Sequence, residues 1–190
     1  MGHTAPMPSS PFVFFAGARL SEAELSAARL DGHLVPLGDA YVPADTIETA
    51  ALRAATLGDL LGTTLAATHV TAAWIHGAVV DPPARRMVQR AVHRRTNPII
   101  DVRTVYRDMT VDIDDLVLLG GVWVTSVTRT LVDLVRVRDD LHQSAARAVI
   151  EHYPHEVDEA VSWFDRHPRT RNRRTGLGVL ERLRHDDVTR

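Results

Sequence analysis

The sequence predicts a mixed α/β (α+β) fold, with a short helix-and-hairpin unit first, a mixed-sheet domain next, and helices at the C-terminal end. Three observations predict it. Leu116 to Leu119 and Val122 to Val124 are apolar without alternation, the pattern of a strand covered on both faces. That run leads straight into Ser126-Val127-Thr128-Arg129-Thr130-Leu131-Val132-Asp133-Leu134, where apolar residues recur at helical spacing. Beyond it the pattern is helical, interrupted by Pro154 and Pro168.

Residues 1–11, with Pro6, Pro8 and Pro11, read as a loose leader. Phe12-Val13-Phe14-Phe15 is too apolar for water and is expected to pack inward. Ser21 and Glu24 match a capping box, so a helix should run to about Leu30 and stop at Asp31-Gly32. His33 to Leu37 and Ala40 to Val42 read as a hairpin around Gly38-Asp39. A short helix followed by a hairpin is how a winged helix-turn-helix ends, yet no helical pattern precedes this one. Residues 12–45 are therefore read as a degenerate winged-helix remnant. Glu22, Glu24, Asp31 and Asp39 outweigh Arg19 and Arg29 there, which suits phosphate poorly.

Residues 46–168 form the main domain. Thr46 to Leu57 predicts a helix with Ile47, Ala50, Ala51, Ala54 and Leu57 inward, and Thr68 to His76 another, ended by Gly77. Trp74 shares a face with Val70 and Ala73 and reads as core. His69 and His76 lie on one side of that helix, but zinc generally takes three protein ligands and no third stands at usual spacing. His69 is read as structural, and neither metal nor cofactor is expected. Met87 to Arg94 and Ile99 to Arg107 read as two strands joined by Arg95-Thr96-Asn97-Pro98, which would set Arg90, Arg94, Arg103 and Arg107 on one cationic face. An Asp-x-Asp pair such as Asp112 and Asp114 can hold Mg²⁺, but here it reads as a polar bend before Leu116.

Ser126 is placed to cap the central helix, and Arg129 and Asp133, four apart, to pair on it as a structural device. Leu141, Ala145, Ala148, Val149 and His152 form one later stripe, and Val157, Ala160, Val161 and Phe164 the next. Residues 169–190 read as an Arg-rich link and a terminal helix on Leu177, Leu180 and Leu183.

The net charge of the 190 residues is −2, and there is no cysteine, so disulfides and thiolate chemistry are excluded. All 22 basic residues are arginine, which excludes lysine-dependent mechanisms such as Schiff bases and P-loops. No apolar run reaches membrane-spanning length and no signal-peptide pattern opens the chain, so a soluble cytoplasmic protein is expected. The arginines cluster: Arg90, Arg94, Arg95, Arg103 and Arg107 in one region, and Arg171, Arg173 and Arg174 in another. These are the candidate nucleic-acid or partner-binding residues.

Val124-Thr125-Ser126-Val127-Thr128-Arg129-Thr130-Leu131-Val132-Asp133-Leu134 resembles the V-T-x-x-x-R-T-L-x-D-L segment of the AbiEi-like antitoxins of type IV toxin–antitoxin systems, common in actinobacteria. Thr68-His69-Val70-Thr71-Ala72-Ala73-Trp74-Ile75-His76-Gly77 is similar to that family's S-H-x-S-A-A-x-L-H-G helix, and Leu30 to Pro43 to its wing. The resemblance implies a non-enzymatic antitoxin that binds a toxin of nucleotidyltransferase type and regulates its own transcription. A nucleic-acid-binding regulator using the arginine-rich strands stands as the alternative, and a metal-dependent phosphoryl-transfer enzyme on Asp112 and Asp114 as a second.

Overall fold

The computed structural model describes residues 12–17, 20–95 and 101–188. The expected leader and the link from Thr96 to Ile100 lie outside them. Helix α1 (Glu22–Leu30) carries the predicted capping box: Ser21 Oγ accepts from the Glu24 N–H at 3.3 Å, and the Glu24 carboxylate accepts from the Ser21 N–H at 2.8 Å. Strands β1 (Leu34–Leu37) and β2 (Ala40–Pro43) form the predicted hairpin. Phe14 extends it by exchanging two 2.9 Å backbone bonds with Tyr41, and Val13 is buried beside it.

The main domain then runs α2 (Ala50–Ala55), α3 (Gly58–Leu61), β3 (Leu65–Ala67), α4 (His69–Ile75), β4 (Arg86–Arg90), β5 (Thr104–Thr110), β6 (Leu116–Leu119), β7 (Val122–Thr125), α5 (Val127–Val135), α6 (Asp140–His152), α7 (Glu156–Arg166) and α8 (Arg173–Val188). Its mixed sheet has the order β5-β4-β3-β7-β6. The β4–β5 and β3–β7 pairs are parallel, while β3–β4 and β6–β7 are antiparallel. The fold is thus mixed α/β, as predicted. Among the described residues, no helix is long and apolar enough to cross a membrane.

Two cores meet at α4. Trp74, Ile75 and Ala72 pack with Leu65, Val88, Val124 and the hairpin residues Leu37, Ala40 and Val42. Val70 and Ala73, on the other side of the same helix, pack with Leu131, Leu134, Val149, Phe164 and Leu180 from α5 to α8. The hairpin therefore shares a core with the sheet, although the sequence placed a boundary between residues 45 and 46.

Four local expectations need correction. The run from Leu116 to Val124 is a hairpin rather than one strand, because Gly120 and Gly121 turn the chain at φ of 54° and 86°. Positive φ at both central residues is what a tight two-residue turn requires. The turn also sits hard against α2, where a Cβ on Gly120 would lie 2.1 Å from the Ala51 carbonyl oxygen. Helix α2 begins at Ala50, with Thr49 Oγ1 accepting from the Leu52 N–H at 3.2 Å, so Ile47 is left 83% exposed and Ala51 faces out. Strands β4 and β5 are shorter than predicted and run parallel. Helix α6 buries His142, Ala145, Ala146, Val149 and Ile150, while Leu141 and His152 of the predicted stripe are exposed.

Candidate functional site

Two strand-to-helix junctions lie side by side at the same end of two inner strands of the sheet. Because β3 and β7 are parallel neighbours, α4 and α5 both start beyond their carboxyl ends, the position where open α/β sheets bind ligands. Ser126 Oγ caps α5 by accepting from the Arg129 N–H at 3.2 Å, as predicted. The Ser126 N–H donates to the Asp115 carbonyl at 2.8 Å, tying the junction to the turn before β6. His76, at the end of α4, donates from Nε2 to the Thr125 carbonyl at 2.7 Å, and burial lowers its pKa against that bond and Glu156.

Beneath the junctions lies a buried charge network. Arg129 Nε donates to Asp133 at 3.2 Å, the predicted pair, and Nη1 donates to Asp115 at 2.6 Å. The other Asp115 oxygen accepts from the Trp163 indole N–H at 2.8 Å, and the Arg129 guanidinium sits 5.4 Å from the Trp163 ring centre. Arg136 Nη1 donates to Asp133 at 3.0 Å. Burial opposes the Arg129 charge, but Asp133 and Asp115 outweigh it and hold its pKa above the usual arginine value. Two carboxylates balance two guanidiniums here, so the network is electrically closed. Removing one partner from such a set strands a buried charge and costs about 3–5 kcal/mol.

His69 occupies the first turn of α4 at a φ of 50°, a left-handed conformation unusual outside glycine. Strain of that kind costs about 1–3 kcal/mol and persists only where the surroundings enforce it. Here they do. Arg107 Nη1 donates to His69 Nε2 at 3.0 Å, which leaves Nδ1 to carry the proton it donates to Thr68 Oγ1 at 2.9 Å. Burial, opposed by Asp133 and reinforced by Arg107, His142 and Arg136, lowers the His69 pKa to about 4. The ring is therefore neutral at pH 7 and acts as an acceptor that fixes Arg107. His142 packs edge-on against it, 5.6 Å between ring centres, and is held by Asp139 through Nδ1 at 2.7 Å.

Around this pair the two predicted arginine clusters meet. Arg107 projects from β5 and Arg171 from the link before α8, both exposed. Burial lowers the Arg136 pKa against the pull of Asp133, and Arg129, Arg107 and Arg171 lower it further. Arg136 Nε also donates to the Arg171 carbonyl at 3.1 Å. Arg107, seated on the neutral His69, and Arg171, tied to Arg136 through its carbonyl, thus add exposed positive charge beside the closed network.

The other predicted residues lie elsewhere. Arg90 is buried at the end of β4, in ionic contact with Asp108 at 2.8 Å and donating to the carbonyls of His93 and Arg94 at 2.8 and 3.2 Å. It closes its own loop, on which Arg94 and Arg95 are exposed. Arg103 precedes β5, is exposed, and faces Asp101 at 3.6 Å. The cationic face predicted across Arg90, Arg94, Arg103 and Arg107 therefore does not form. Arg173 Nε donates to the Phe164 carbonyl at 3.0 Å and Nη2 to Asp165 at 2.9 Å, while Arg174 is exposed on α8. Trp74 is core, 1% exposed, with the Arg53 guanidinium 5.6 Å from its ring centre. Asp112 and Asp114 are exposed on a single 3-10 turn whose third acidic residue, Asp115, belongs to the network. Among the described residues, no three His, Asp or Glu side chains are grouped to hold a metal ion.

The residues that sequence reasoning missed are Asp115, Trp163 and His142. Only Asp139, a cap three residues before His142, offered a local signal. No family model matches this chain, and no curated protein matches it.

Proposed function

We propose that this chain is a non-enzymatic, antitoxin-like binding protein of the cytoplasm that holds a toxin of nucleotidyltransferase type and regulates its own transcription. The observation that carries this reading is the state of the residues in the two motifs that resemble the AbiEi-like family. His69 has both ring nitrogens engaged and a pKa near 4, so it is a poor general base at neutral pH. Arg129 and Asp133 are bound to each other and to Asp115 and Arg136. The motifs support a rigid floor, and beside it Arg107 and Arg171 face solvent. Arginine forks suit paired recognition of carboxylates on a partner, and rigid support lowers the entropy lost on binding.

The test is growth rescue. Expressing the product of the adjacent gene alone should arrest growth, and co-expressing this chain should relieve the arrest. Failure of the chain to relieve it would remove the antitoxin reading. The alternative, a nucleic-acid-binding regulator, is favoured by the same exposed arginines. It requires duplex affinity that falls steeply as salt rises, measured by filter binding.

A further inference from the structure

A groove of about 860 Å³ runs between α6 and α8, both of which pack on α5. Arg138, Arg147, Arg174 and Arg182 line it, with Asp140 the one acidic lining residue. None of these four guanidiniums has a carboxylate partner among the described residues. Arg53, Arg86, Arg129 and Arg136 are paired, and the other unpaired described arginines, such as Arg29, Arg94 and Arg166, do not line this groove. The chain as a whole is acidic, at −2, yet this groove is lined by four arginines against the single carboxylate of Asp140. Four arginines converging in one concavity raise the local potential and draw anions in.

The two glycines of α8 sharpen the point. Gly176 is demanded by packing, because a Cβ there would lie 2.6 Å from the Phe164 ring. Gly178 lines the groove, and a Cβ there would meet nothing within 4 Å. Glycine inside a helix is unfavourable, and no neighbour in the fold requires this one. Its effect is a bare helix surface on the groove floor.

We propose that this groove binds an oligophosphate chain, as inorganic triphosphate or as the phosphates of a nucleotide. Planar guanidinium forks match phosphate oxygens in pairs, and the volume falls within the range of small-ligand pockets. No aromatic side chain lines it, so the phosphates carry the recognition rather than a base. Arg107, Arg136 and Arg171 do not line the groove.

Calorimetric titration with inorganic triphosphate at physiological salt tests the proposal. Binding should weaken about 100-fold in Arg147→Gln/Arg174→Gln, as expected for losing two charge-assisted contacts, and should be unchanged in Arg85→Gln, which does not line the groove. Gly178→Leu keeps every charge but fills the floor, so binding should be lost with Tm no lower than wild type. ATP binding as tightly as triphosphate identifies the phosphate chain as the whole ligand, and tighter ATP binding adds a contribution from the nucleoside. No triphosphate binding, or binding indifferent to both groove variants, overturns the proposal. Tighter binding of hexaglutamate or of a 5′-hydroxyl RNA overturns it in favour of a macromolecular partner.

Discussion

His69 makes the stability of this fold acid-sensitive in a defined window. Its folded pKa is about 4 against an ordinary value of 6.5, because burial disfavours the imidazolium. As pH falls through 6.5 the unfolded chain takes up the proton first, and the folded chain resists until about pH 4. The stabilisation is therefore present above 6.5 and lost on the way down to about 4, with the steepest loss near one proton, or ~1.4 kcal/mol, per pH unit. Integrated from pH 7 to pH 5, the loss is about 2 kcal/mol. His69→Asn removes the titrating group while supplying a side chain that tolerates the left-handed backbone. Urea unfolding followed by tryptophan fluorescence at both pH values should show wild type losing about 2 kcal/mol more than the variant. His76 is also lowered by burial, but it is present in both proteins and cancels in the comparison. Parallel losses in the two proteins would refute the buried, neutral state assigned to His69.

Two more predictions concern the scaffold. Arg129→Met should cost about 3–5 kcal/mol, since Asp115 and Asp133 lose their shared partner, and adding Asp115→Leu should restore part of that. A strictly additive double-mutant cycle in urea would mean that the network is not coupled. Gly120→Ala should lower stability by more than about 2 kcal/mol, because the new Cβ would meet the Ala51 carbonyl on a backbone at positive φ; an unchanged melting temperature would contradict the tight seat of this turn on α2.

Features set by near neighbours were readable in the chain, and those set by distant ones were not. The Ser21–Glu24 box and the Arg129–Asp133 pair are three and four residues apart, so helical geometry alone brings them together. Asp115 reaches Arg129 across 14 positions and Trp163 across 48, and nothing periodic marks it. Arg107 meets His69 across 38, because β5 joins the sheet beyond β4, away from β3. Strand β3 went unseen since Leu65-Ala66-Ala67 has no β-branched residue; pairing with β4 on one side and β7 on the other makes it a strand. The Gly120-Gly121 turn was hidden by apolar residues on both sides, although a glycine pair between two such runs is a hairpin signal. In α6 the buried stripe includes His142, whose Nδ1 pairs with Asp139 while its Nε2 is buried without a partner, and a hydrophobic pattern registers neither.

The proposal that Arg107, seated on His69, and Arg171 receive a protein partner rests on their exposure to solvent. It is tested most directly by size-exclusion chromatography of this chain co-expressed with the product of the adjacent gene. One co-eluting complex is expected, separating into its components when Arg171→Glu is combined with Arg107→Gln. Separate elution of the wild-type proteins, or a complex indifferent to both substitutions, would contradict it.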